Sequence, residues 1–196
     1  MPVLSSEKKT RILEAAARLF RDKGYSATSM RDLAKAVDLK ASSLYNHISS
    51  KEEILQDICL TNARRFQQGM QEVLKMDEPV QTKVEELIRL HIRIATRDVT
   101  SVTSFNDEWR HLSEPHLSEF LTMRREYEGA FRRLIEQGQA EGVFKPVDTS
   151  VLLYTLFSSV RWLYDWYEEG KRLSAKDLED QIIPLLMQGV KEDGIR

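Results

Sequence analysis

Cysteine is nearly absent: Cys59 stands alone among 196 residues. No intrachain disulfide framework can form, which fits a reducing compartment. Cys59 falls in an apolar helical pattern with Leu55 and Ile58 and reads as buried filler. No apolar run approaches the ~18 residues that cross a bilayer, and the opening MPVLSSEKKTR has no apolar signal core. We therefore expect a cytoplasmic protein, neither secreted nor membrane-spanning. Gly/Ser linkers, low-complexity tracts and internal repeats are missing. So is the alternating pattern of strands, which leaves an all-α chain. Catalytic signatures are missing too, with no nucleophile elbow and no phosphate-cradling glycine loop. His111 and His116 lie five apart with Pro115 between them, not at the four-residue spacing of a helical zinc pair. We expect no catalytic residue, no metal and no cofactor.

What is present is helix and charge. Hydrophobic residues make up 41% and charged residues 31%, enough for a core within a soluble chain. The net charge is −2 overall. Residues 1–55 hold 10 Lys and Arg against 7 Asp and Glu, a net +3, while the remainder holds 19 against 24, a net −5. A mildly basic front on an acidic body is consistent with a small nucleic-acid-reading head.

The stretch Thr28–Lys51 organises the rest. Thr28 or Ser29 can cap a short helix carrying Leu33, Ala34 and Val37 inward. Val37-Asp38-Leu39 makes a turn, with Asp38 at the left-handed position. Lys40–His47 forms a second short helix of small polar residues with one Tyr, one Asn and one His. This is a helix-turn-helix, and its second helix is the candidate DNA reader.

An earlier helix begins near Ser6 and ends at Gly24, with Ile12, Leu13, Ala16, Leu19 and Phe20 on one face. Ser49 or Ser50 caps a long helix running to about Leu74, which is broken by Met76-Asp77-Glu78-Pro79. Val84, Leu87, Ile88, His91, Ile92 and Ala95 share one face of the next. A polar, β-branched interval, Thr96–Thr103, separates it from a short helix at Phe105–Leu112. A helix beginning at Pro115 ends near Gly142. Two more close the chain: one capped by Asp148 or Thr149 and running to Gly170, and one capped by Ser174 with Asp177 and kinked by Pro184. Both are apolar on more than one side. That surplus suits a homodimer interface through the last two helices, the alternative being intrachain core.

Gly24-Tyr25, then Thr28 through Ala36, Leu44-Tyr45-Asn46-His47 and Lys51-Glu52-Glu53 resemble the TetR family of bacterial transcriptional regulators. The resemblance covers roughly Thr10–Leu55. It implies an N-terminal three-helix DNA-binding domain (1–52) and a helical ligand-binding and dimerisation domain (53–196), about nine helices in all. It also implies a homodimeric repressor. Asp38 stands where the family usually has Gly, and Ile48 where it usually has Phe.

The chemistry of the head assigns residues. Thr28 and Ser29 begin a helix whose N–H groups, with their own hydroxyls, suit a phosphate. Lys40, Tyr45, His47 and Lys51 are further backbone candidates. Tyr45 has packing inside the head as its alternative, and His47 divides between the same two readings. Ser42, Ser43 and Asn46 can reach base edges, with Asn suited to adenine, and Ala41 can touch a thymine methyl. The expected partner is double-stranded DNA with a palindromic operator.

In the body, Trp109, Arg125-Glu126-Tyr127, Gly142-Val143-Phe144, Trp162 to Tyr167 and Gly170 loosely resemble the acyl-CoA-responsive subgroup. An apolar effector wants an apolar, aromatic lining. The candidates are His91, Ile92, Phe105, Trp109, Phe120, Met123, Tyr127 and Phe157, with Arg124 or Arg125 for a CoA phosphate. For most single aromatics plain core is the stronger reading, and for the arginines a solvated side chain or a pairing with nearby glutamates. The alternatives to a ligand-released repressor are a helical partner-binding adaptor or a small-molecule enzyme.

Overall fold

In a computed structural model of the chain, residues 3–167 and 172–192 are described. All regular structure among them is helical: α1 (Val3–Lys23), α2 (Met30–Ala36), α3 (Ala41–Leu44), α4 (Lys51–Leu74), α5 (Val80–Arg97), α6 (Val99–Asp107), α7 (His116–Ala140), α8 (Thr149–Arg161), α9 (Leu163–Trp166) and α10 (Ala175–Val190). A 3-10 turn covers Trp109–His111. The expected end of the penultimate helix at Gly170 lies outside the described residues. The regular helix stops earlier, at Arg161, and a short α9 follows Trp162. None of the described helices is long and apolar enough to cross a membrane.

The chain divides into two compact units. The first takes Met1–Ala63 together with Thr100–Leu121, and the second takes Arg64–Val99 with Thr122–Arg196. The segment 100–121, which the sequence assigns to the body, therefore packs with the head. The reason is visible on α1. Besides Ile12, Ala16 and Phe20, this helix buries Ala15 and Ala17, so it is covered on a second side. The Ser104 hydroxyl lies 3.1 Å from the Ala17 carbonyl, and Asn62, fully buried, donates to Ser101 Oγ at 2.7 Å.

The same packing corrects the Thr96–Thr103 interval, which is helical except at Asp98. Asp98 alone leaves helical geometry, with φ −151° and ψ 65°. Val102, Thr103 and Ser104 are buried, and that tertiary burial overrides the weak helix propensity of a β-branched run.

Helix ends in the first unit follow local chemistry. Gly24 adopts φ 85° at the end of α1, and Ser29 with Asp32 forms a reciprocal capping box on α2. Asp38 takes φ 54° in the turn, a conformation Asp tolerates better than most residues. Ser50 Oγ accepts from Glu53 N–H and caps α4. Ile48 is buried, as is Cys59, whose thiol is pushed up to about 12 by burial first and by Glu108 second.

In the second unit Val84, Leu87, Ile88, Ile92 and Ala95 form the buried stripe of α5. They share the unit's core with Phe131, Leu134 and Ile135 of α7, Leu152, Leu153 and Leu156 of α8, and Leu178, Ile182 and Ile183 of α10. Asp148 caps α8, and Ser174 with Asp177 makes a capping box on α10. Glu179 of α10 is buried and receives Arg93 Nε at 2.8 Å and Nη2 at 3.1 Å. Gly138 lets the buried Phe144 ring lie against α7, where an added Cβ would fall 2.2 Å from a ring carbon. His91 of α5 sits among the rings of Phe66, Tyr127 and Phe157. Burial lowers its pKa to about 4 and pushes the Tyr127 phenol above its usual range.

Two outcomes are expected. Gly138→Ala forces the Phe144 ring or α7 to shift and should cost ~1–3 kcal/mol, lowering Tm by several degrees in a thermal melt. His91 is neutral in the folded state but protonates near 6.5 when unfolded, so the unfolded chain binds the extra proton between pH 6.5 and 4. Stability present above pH 6.5 should therefore fall as pH drops toward 4, by on the order of 3 kcal/mol. Denaturant melts of His91→Phe across that window should show a flatter dependence than the native chain.

Candidate functional site

The reader is anchored by two residues on one side. Leu44 and Ile48 are fully buried, and their four-residue spacing places both on the same helical face. The regular part of α3 is short, Ala41–Leu44, but turn hydrogen bonds continue it: His47 N–H reaches Leu44 O at 2.9 Å and Ile48 N–H reaches the same oxygen at 3.1 Å. The expected Lys40–His47 reader is thus one helical turn extended by tighter turns. Its other side holds Ala41, Ser42, Tyr45 and Asn46, all exposed. Tyr45 is 54% exposed, so it is not packed inside the head. Ser43 and His47 are half-buried at the margin, and Lys40 is exposed at the helix start.

Two expected phosphate contacts are placed differently. Thr28 is only 2% exposed, and its hydroxyl faces the Gly24 carbonyl at 2.9 Å and the Leu19 carbonyl at 3.4 Å. The hydroxyl is committed to carbonyls of the protein's own backbone, so the expectation that it faces DNA is corrected. Ser29 is exposed, with its hydroxyl engaged in the capping box. Lys51 Nζ donates to the carbonyls of Tyr25 at 2.6 Å and Thr28 at 2.8 Å, and lies 4.2 Å from the centre of the Tyr25 ring. Two of its three donors are therefore used within the head.

Glu108, which sequence reasoning left without a role, completes this corner. Its Oε1 accepts the Tyr25 N–H at 3.0 Å, and its Oε2 lies 3.3 Å from His111 Nε2. The His111 ring stacks on Tyr25 at 5.1 Å. The partners are 83 residues apart, so no local pattern signals the contact. Glu53 is held similarly, accepting from Ser49 N–H at 2.7 Å. The bond from the Ser49 hydroxyl at 2.6 Å, with that one second and Lys9 after them, keeps its carboxyl below the usual range.

The expected effector lining separates into two groups. Phe105, Trp109 and Phe120 belong to the first unit, where Phe120 meets Phe105 edge-on at 5.4 Å and stacks with Trp109 at 5.7 Å. His91, Met123, Arg124, Tyr127 and Phe157 belong to the second. There His91 Nε2 lies 2.9 Å from the Tyr127 hydroxyl, and the His91 ring is 5.3 Å from Phe157 and 4.8 Å from Phe66. Phe66 was not anticipated, since it is 25 positions from His91 on another helix and no sequence period links them. Met123 is buried. Arg124 is exposed and donates to Glu128 at 2.9 Å, while Arg125 reaches Thr122.

Residues 12–58 match the bacterial regulatory proteins of the tetR family, and residues 77–190 match the tetracyclin repressor-like C-terminal domain. The HTH-type transcriptional repressor KstR2 of Mycolicibacterium smegmatis is 24% identical over 193 residues, covering 97% of this chain and 94% of the relative. The ketosteroid transcriptional regulator KstR2 of Mycobacterium tuberculosis shares the fold, with a TM-score of 0.87 at 22% identity over 94% of this chain and 95% of that one. AibR, solved in complex with isovaleryl coenzyme A and operator DNA, is similar at 27% identity and a TM-score of 0.77, over 92% of this chain and 98% of its own. With more than half of its length matched, the chain belongs to the TetR family and is a DNA-binding transcriptional regulator rather than an enzyme.

Proposed function

We propose that this regulator is a cytoplasmic homodimeric repressor, released from a palindromic operator by a small apolar effector such as an acyl-CoA. The observation that carries the reading is the exposed face Ala41, Ser42, Tyr45 and Asn46, held rigidly from behind by Leu44 and Ile48. Short side chains let the helix approach the floor of a major groove. The Asn46 amide suits an adenine edge, the Ala41 methyl suits thymine, and the hydroxyls of Ser42 and Ser43 suit either strand. Lys40, Tyr45 and His47 reach for phosphates at the margin, with the Ser29 end of α2 and the remaining Lys51 donor beside them.

One such face has a small footprint. Two related by a dyad read half-sites about one turn, roughly 34–36 Å, apart or a multiple of it. The last helices offer the dimer surface: Val151, Tyr154, Trp162 and Trp166 are exposed on or next to α8 and α9, and Leu185 of α10 is 71% exposed. The ring cluster around His91 is the effector site, and the isovaleryl coenzyme A in the AibR complex supports an acyl thioester class. The effector acts by binding the operator-competent and released states with different affinity.

Three variants test this reading by fluorescence anisotropy and sedimentation. Asn46→Ala should lose ~10–100-fold in affinity for the cognate operator and relax preference at one base pair, with the salt slope unchanged. Lys40→Ala should weaken binding to all sequences alike and reduce the salt slope by about 1. If both variants bind as the native chain does, the reader is misplaced. Leu185→Glu should shift sedimentation toward monomer at low micromolar concentration; an unchanged dimer would move the interface elsewhere.

A further inference from the structure

His91 is an expensive residue to place in an aromatic core. Phe66, Phe157 and Tyr127 surround its ring at centroid distances of 4.8, 5.3 and 5.8 Å. Nε2 is satisfied by the Tyr127 hydroxyl at 2.9 Å. The residue keeps some accessible surface, yet Nδ1 is sealed and has no hydrogen-bond partner. A buried polar atom left unsatisfied costs enough that a position serving packing alone would be better filled by Phe. The orphan nitrogen is therefore a feature in want of a function.

The chemistry of the pair says which function. Burial keeps the Tyr127 phenol protonated and the imidazole neutral at pH 7. A neutral imidazole carries one N–H, on one nitrogen or the other. A phenol is a strong donor and a weak acceptor, whereas an unprotonated imidazole nitrogen is a good acceptor. The favourable pairing is Tyr127 O–H donating to Nε2. The ring proton then stands on Nδ1, which becomes a buried donor awaiting an acceptor. A carboxylate would gain no counter-charge from a neutral ring and would carry a large desolvation cost. A carbonyl oxygen accepts one hydrogen bond and brings no charge.

We propose that His91 Nδ1–H is the polar contact for the effector, and that the effector carries an uncharged acyl carbonyl on an apolar body. The proposal rests on the effector reading above and adds to it the recognised group. Tyr127 is a positioning residue, because it sets the tautomer without meeting the ligand through its own hydroxyl.

The test uses the full chain and three probes in titration calorimetry: octanoyl-CoA, the thioether S-octyl-CoA, which lacks only the carbonyl oxygen, and octanoate. The thioester should bind ~10-fold tighter than the thioether, with octanoate weakest. In His91→Phe, which keeps the ring volume, thioester and thioether should come within ~2-fold of each other. In Tyr127→Phe, where the tautomer is no longer enforced, the preference should narrow without vanishing. This second variant carries the test if His91→Phe fails to fold. Equal binding of thioester and thioether to the native chain would overturn the carbonyl assignment and leave the effector reading standing. Failure of all three probes to bind would overturn both.

Discussion

The carbonyl groups left over where α1 gives way to α2 constrain the whole head. A helix ends with unsatisfied oxygens, and a buried helix end must find donors for them. Here Thr28 supplies a hydroxyl to the Gly24 and Leu19 carbonyls, while Lys51 supplies an ammonium to those of Tyr25 and Thr28. Glu108 accepts the Tyr25 N–H at the same corner. The start of α4, the connection before α2 and the segment after α6 thereby meet at one point. The reader is oriented because the elements on either side of it are tied there.

This corner also explains how side chains divide their labour. Residues that could have met phosphate are partly committed to the protein's own backbone, and the exposed reader face is left to residues with short or planar side chains. Leu44 and Ile48 anchor that face from the core side. A four-residue spacing of anchors leaves Ala41 and Ser42 before them and Tyr45 and Asn46 between them pointing outward, so burial on one side leaves an exposed face on the other.

The second unit places its polar groups differently. Glu179 is buried but receives a two-point contact from Arg93, so its charge is compensated. His91 is compensated at one nitrogen only. The contrast separates a structural buried charge from a buried group with unused capacity. Phe105, Trp109 and Phe120, by contrast, assemble with one another in the first unit.

Much was legible in the sequence because it depends on neighbours along the chain. The all-α class, the capping box at Ser174, the left-handed Asp38, the Gly24 helix end and the span of α4 all follow from residues within a few positions of one another. So does the outward face of the reader, which helical periodicity alone can draw. Tertiary structure decided what depends on distant partners. Asp98 rather than Thr96 separates α5 from α6, because burial of Val102 and Thr103 outweighs their propensity. Thr28 and Lys51 turned inward because backbone carbonyls at the start of α2 and the end of α1 lay nearby in space. Glu108 and Phe66 acquired roles through residues 83 and 25 positions away, and no local pattern encodes a contact across such separations.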